Sequence, residues 1–127
     1  MSVQAQDSRI PIDTTIVTTN EVSVNGQKIT YKATTGMQPV WDDHGEVIAS
    51  LYFTYYQRTN VKNREKRPII MSFNGGPGSA SVWMHIAYTG PKVLNIDEEG
   101  YPIQPYGVKD NPNSIIDVAD IVYINPV

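Results

Sequence analysis

Asn25-Gly26 stands between two segments of alternating hydrophobicity in the stretch EVSVNGQKITYKA, and no other feature constrains the fold more. Asn and Gly accept the positive φ values of a tight hairpin turn at little steric cost, so the flanking segments run antiparallel. With a two-residue turn, Val24 faces Gln27 and Val22 faces Ile29. Val22, Val24, Ile29 and Tyr31 then share one face, and Ser23, Lys28 and Thr30 the other. A slip of one residue would turn the whole apolar set into water, so turn and pattern enforce the same register. A second hairpin follows in MQPVWDDHGEVIASLYFTYYQR, with Asp42-Asp43-His44-Gly45 as its turn. Its second strand is long and rich in β-branched and aromatic residues, with Ala49, Leu51, Phe53 and Tyr55 along one side.

The character changes after a basic stretch, RTNVKNREKR. Residues 68–73, PIIMSF, form a nearly unbroken apolar run suited to a strand covered on both faces. NGGPG follows at 74–78, and then a helical pattern from Ser79 or Ser81 to Tyr88. Either serine can serve as N-cap, and Val82, Trp83, Ile86 and Ala87 supply an apolar stripe. Gly90-Pro91 ends the helix, because proline cannot continue it. Residues 91–112 are rich in turn formers, and IIDVADIVYINPV then gives a short helical turn and a strand at 120–125. Strand, helix-bearing crossover and strand make a βαβ unit. The expectation is an α/β chain in which antiparallel hairpins lead into a βαβ unit of a mixed sheet. One unit over 1–127 is expected, with a flexible lead at 1–18, antiparallel strands at 19–57, and the glycine-loop strand, its helix and the next strand at 67–127. A chain that stops just after a buried strand reads as cut short.

Composition removes several function classes. Net charge is −3, which does not suit a phosphate-neutralising surface, so no nucleic-acid partner is expected. The basic stretch from Arg58 to Arg67 is interrupted by an acid, lacks aromatics, and reads as a solvated loop. Without cysteine there is no disulfide, thiol nucleophile or cysteine-based zinc site. No apolar run approaches the roughly 18 residues of a membrane-spanning helix. The N-terminus has no basic or apolar leader segment. Gln4-Ala5-Gln6 fits the scar of a trimmed secretory leader, which would make the protein secreted or periplasmic, and fits an ordinary chain start equally well.

Four readings of the glycine loop compete. Glycines can simply permit a tight strand-to-helix turn. A phosphate loop needs Gly-Lys-Ser/Thr or a third glycine at position 81, and Ser81 stands there, while Pro77 removes one N–H donor. A nucleophile elbow needs Gly-x-Ser-x-Gly, and neither Ser79 nor Ser81 has those flanks. An oxyanion hole needs a glycine-rich loop after a buried strand, turning an N–H toward a developing negative charge; this loop meets that requirement.

The stretches FNGGPGSASVW, TGP and DNPNSIIDVADIVYINPV, in that order, resemble the serine carboxypeptidase family. The resemblance implies an α/β-hydrolase that removes C-terminal residues from peptides with a free C-terminus, with no cofactor and no metal. It implies that the Gly76 N–H forms half of an oxyanion hole. The Asn74 side-chain amide and the Gly75 N–H would hold the substrate carboxylate, with Pro77 and Gly78 setting the loop geometry. Two residues depart from the family pattern: Ser79 where many members have a disulfide-bonded cysteine, and Tyr88 where eukaryotic members carry a glutamate. Both departures look like bacterial relatives. The family's Ser, Asp and His would all lie beyond Val127, so the chain by itself is expected to be inactive, with His44 and His85 structural or solvated. The family fold also places the strand at 120–125 between the antiparallel strands and residues 68–73, leaving the latter as an open apolar edge suited to self-pairing. Two alternatives stand beside this: an esterase or acyltransferase on the same fold, and a non-catalytic β-rich binding module using Tyr52, Tyr55 and Tyr56.

Overall fold

The computed structural model describes residues 14–74 and 80–125. Asn25 and Gly26 take φ values of 51° and 74°, and the hairpin they close has the expected register, Val24 against Gln27 and Val22 against Ile29. It joins β1 (Thr15–Val24) to β2 (Gln27–Trp41). Val22, Val24, Ile29 and Tyr31 are all buried on the shared face. β1 begins earlier than the 1–18 flexible lead allowed: Thr15 pairs with Gly36, because β2 is 15 residues long and offers partners to the whole of β1. The second hairpin leads into β3 (Val47–Arg58). In its turn the Asp42 carboxylate accepts from the His44 and Glu46 N–H groups, both at 2.9 Å.

β4 (Ile69–Phe73) and β7 (Asp120–Asn125) complete a sheet of order β1-β2-β3-β7-β4. β7 is antiparallel to β3 and parallel to β4, so the expected mixed sheet and βαβ unit are both present. β4 lies at the edge, as the family fold implied. It is not covered on both faces: Ile69, Met71 and Phe73 are each more than half exposed. An apolar run reports a tendency to be buried, and among the described residues β4 has one strand neighbour and one open face.

The crossover from β4 to β7 lies over the opposite face. It holds a π-helix (Met84–Thr89), a two-stranded ribbon of β5 (Lys92–Leu94) and β6 (Val108–Asp110), and a 3-10 turn (Ile115–Asp117). Ile116 packs with Ile121, Tyr123 and the buried residues of the first hairpin to form the core. Gly90 ends the helix as the sequence predicts, for a steric reason: a Cβ there would sit 2.2 Å from the His85 carbonyl oxygen, whose bond from the Gly90 N–H closes the last turn. The buried Asn111 side chain donates to the carbonyls of Tyr88 and Gly90, both at 2.8 Å. The TGP and DNPNS segments are therefore two halves of one buried joint.

The basic stretch is solvated only in its middle. Its ends, Arg58 and Arg67, converge on Asp120 at the start of β7. The Asp120 carboxylate accepts from the Arg67 Nε and the Arg58 backbone N–H, both at 3.1 Å. Arg67 also donates to the carbonyls of Ile116 and Asp117, and Arg58 to that of Asp117. The Arg67 and Asp120 side chains are only 9% and 11% exposed, so the pair is shielded from water and salt. Removing one partner of such a pair leaves a buried charge and costs about 3–5 kcal/mol. Arg67→Ala should lower the unfolding free energy by about that amount in urea titrations, whereas Lys62→Ala in the exposed middle should stay within about 0.5 kcal/mol.

Candidate functional site

Ligands of open α/β sheets bind beyond the carboxyl ends of the parallel strands. Here those ends are Phe73 on β4 and Asn125 on β7, in adjacent strands with Phe73 registered on Ile124. Asn74 follows β4 at once. Gly75, Gly76, Pro77 and Gly78, with Ser79, lie outside the described residues; the flanks of that segment are described on both sides.

Ser81 joins those flanks to β7. Its hydroxyl accepts from the Asn74 N–H at 3.2 Å and donates to the Ile124 carbonyl at 2.5 Å. Its own N–H donates to the Asn125 side-chain carbonyl at 2.9 Å. The Asn74 side-chain amide reaches across to the Ala80 carbonyl at 3.3 Å. Ser81 is 1% exposed, so loss of its hydroxyl removes two shielded hydrogen bonds, each worth about 0.5–1.5 kcal/mol. Ser81 does stand at the N-cap position: helical residues begin at 82, and the Ser81 carbonyl accepts the first helical bond, from the His85 N–H at 3.0 Å. Its hydroxyl serves Asn74 and Ile124 rather than the helix's own N–H groups.

Only half of the expected apolar stripe turns inward: Ile86 and Ala87 are half-buried. Val82 and Trp83 point to solvent, with Met84 and Tyr88. The other inward positions belong to Ser81, His85 and Thr89, polar residues four apart that each find a partner on the sheet side. His85 stacks on Tyr123 with ring centroids 4.4 Å apart, and its Nε2 is hydrogen-bonded to the Tyr56 hydroxyl. Burial holds the His85 imidazole below its ordinary pKa and pushes the Tyr56 phenol well above its own, so both are neutral near pH 7. Tyr56 is then the donor and Nε2 the acceptor, which leaves the His85 proton on Nδ1. Thr89 donates to the Met84 carbonyl at 2.7 Å, so the Tyr123 hydroxyl donates to Thr89 Oγ1 at 2.6 Å. Burial pushes Tyr123 up to about 12.

His85 is therefore structural, one of the two roles expected for it, and His44 lies exposed in its hairpin turn. Tyr88 is exposed, and its backbone carbonyl serves the Asn111 joint. Sequence reasoning passed over Ser81, Asn125, Tyr56 and Tyr123 as a linked set. The one available signal was the i, i+4, i+8 spacing of Ser81, His85 and Thr89, an unusual polar stripe beside an apolar one. Among the described residues, no group of three or more His, Asp or Glu side chains is placed to hold a metal ion.

This arrangement, a parallel pair at the edge of an otherwise antiparallel sheet, with the glycine-rich stretch following the edge strand in sequence, is that of an α/β-hydrolase sheet. The model of the serine carboxypeptidase family matches residues 24–127, most of the chain, and the chain belongs to that family. A crystal structure of a prohormone-processing carboxypeptidase from Saccharomyces cerevisiae shares the fold, with a TM-score of 0.54 and 23% identity. The match covers 76% of this chain and 19% of that one, so this chain spans a small part of that relative's length. No curated protein matches the sequence.

The depressed His85 pKa has a definite sign in stability. The unfolded chain takes up a proton as pH falls through about 6.5, and the folded chain resists until lower pH. Between those values the unfolded state binds more protons, so stability is lost as pH falls. His85→Gln keeps an acceptor for Tyr56 and removes this contribution. The stability of the native sequence minus that of the variant should decline from pH 7 to pH 5 in urea titrations, and a flat difference would contradict it.

Proposed function

We propose that this chain supplies the substrate-facing loop of a serine-type carboxypeptidase, which hydrolyses C-terminal peptide bonds through an acyl-enzyme. The observation that carries this reading is the position of Asn74. It sits at the carboxyl end of the parallel pair, tied to β7 through Ser81. In this reading the Gly76 N–H faces the tetrahedral oxyanion, while the Gly75 N–H and the Asn74 amide take the substrate carboxylate. Neutral donors suffice because hydrogen bonds to a charged acceptor are about twice as strong as neutral ones. The nucleophile and its general base lie outside these 127 residues. No serine here has the flanks of a nucleophile elbow, and the Nε2 of His85 is engaged by Tyr56.

Two measurements test the two halves of this proposal. The 127-residue chain should not be labelled by a serine-reactive fluorophosphonate; stoichiometric labelling would refute its inactivity. In a full-length protein, Asn74→Ala should raise KM roughly ten- to a hundred-fold for peptides with a free C-terminus, the equivalent of about 1.5–3 kcal/mol for a hydrogen bond to a charged group. Amidated peptides should be affected far less, and equal loss on both would end the carboxylate role.

The same loop geometry would serve an esterase or acyltransferase, and comparing N-blocked dipeptides with simple acyl esters separates these activities. A tyrosine-based binding module would lose Tyr56, which packs edge-on against Tyr31 and Tyr123 in the core, and would rest on Tyr52, which is exposed, and on half-buried Tyr55. We also propose that the chain alone self-associates through β4, whose free edge carries exposed Ile69, Met71 and Phe73. Light scattering at high concentration should give at least a dimer, and a monomer would count against it.

A further inference from the structure

We infer that Ser81 and Asn125 are positioning residues for the loop that begins at Asn74, acting on it from outside the substrate contacts. The inference rests on the proposed role of that loop and adds the device that aims it. Three hydrogen bonds converge at the end of β7. The Asn74 N–H reaches the Ser81 hydroxyl, that hydroxyl reaches the Ile124 carbonyl, and the Ser81 N–H reaches the Asn125 side-chain carbonyl. The entry and exit of the loop are thereby held to one point on a neighbouring strand.

The arrangement goes beyond what a strand-to-helix turn requires. A helix start needs an acceptor for its own free N–H groups, and the Ser81 hydroxyl serves instead a residue seven positions earlier and a carbonyl 43 positions later. Asn125 lies 44 residues from the N–H it accepts, so the bond exists only when β7 stands beside β4. β7 is itself held on its other side by β3, where Asn125 pairs with Tyr52. The loop flanks are therefore referenced to the centre of the sheet and not to the exposed β4 edge. A hydrogen-bond donor aimed at a transition state tolerates little drift, since a shift of about 1 Å costs on the order of a hundredfold in rate. Loss of the Ser81 hydroxyl removes the link from the Asn74 N–H to β7, and loss of the Asn125 carbonyl removes the link from the far flank.

The test compares Ser81→Ala, Asn125→Leu and Asn125→Asp in a full-length protein, with Asn74→Ala as the reference for the loop itself. Asn125→Asp keeps an acceptor for the Ser81 N–H, and Asn125→Leu does not. For peptides with a free C-terminus, Ser81→Ala and Asn125→Leu should lower kcat roughly ten- to a hundred-fold, the scale of a slight misplacement. Asn125→Asp should recover most of that loss. Hydrogen exchange read by mass spectrometry should show faster exchange at residues 74 and 81 in the two damaging variants, with the β1–β2 hairpin still protected. That protection marks the fold as intact. Unchanged kcat and exchange in Ser81→Ala and Asn125→Leu, beside a damaging Asn74→Ala, would overturn the positioning role alone. Equal loss in Asn125→Asp and Asn125→Leu would also overturn it, because the acceptor would not then be what matters. A harmless Asn74→Ala would remove the loop reading and this inference with it.

Discussion

The buried pair of Arg67 and Asp120 sets the parallel register on which the rest of the site depends. Arg67 stands just before β4 and Asp120 opens β7, and their side chains meet at 3.1 Å with little exposure. The Asp120 N–H adds a bond to the Pro68 carbonyl at 3.0 Å, so the two strands start level. From there the register runs residue by residue to Phe73 opposite Ile124. The carboxyl ends arrive together, and Asn74 lies within reach of groups anchored to β7. An ion pair at one end of the strands thus determines what can be built at the other. Such a pair adds little net stability over an apolar substitute, while an alignment that separated its partners would leave buried charges uncompensated.

The second organising feature is the orientation of the helical segment after the glycine loop. Burying an apolar stripe is the usual way a helix docks on a sheet. Here Ser81, His85 and Thr89 face inward, each matched to a sheet-side acceptor or hydroxyl, while Val82 and Trp83 face out. Polar contacts are directional, so they fix how the helix sits more narrowly than apolar packing would. The benefit comes at the loop, since Ser81 belongs both to this stripe and to the end of β7. Every member of the set is satisfied, which such a buried polar network requires.

Much of the fold was legible in local pattern. The Asn25-Gly26 and Asp42-to-Gly45 turns, the faces of β1 and β2, the strand at 120–125 and the stop at Gly90 all follow from period-two alternation or turn chemistry, each a matter of neighbours a few residues apart. The order of strands was not local, and it came from resemblance to a family. The solvated reading of the basic stretch failed at its ends because Arg58 and Arg67 meet an aspartate more than 50 residues away. The apolar stripe misled at Val82 and Trp83, which are exposed, and not at Ile86 and Ala87, which are half-buried; hydrophobicity states a preference, and Ser81, His85 and Thr89 found matched partners beside them.

By itself, then, the amino-acid sequence determined the hairpins, their register, the strand–loop–helix unit and the family to which the loop belongs, since each is written in contiguous residues. Tertiary structure alone decided that Ser81 would couple Asn74 to Ile124 and Asn125, that His85 would accept a hydrogen bond from the Tyr56 hydroxyl, and that the ends of the basic stretch would meet Asp120. Those outcomes depend on groups brought together only when β7 inserts between β3 and β4. A buried hydroxyl or imidazole is favourable only once its partner has arrived, and sequence spacing carries no record of that arrival.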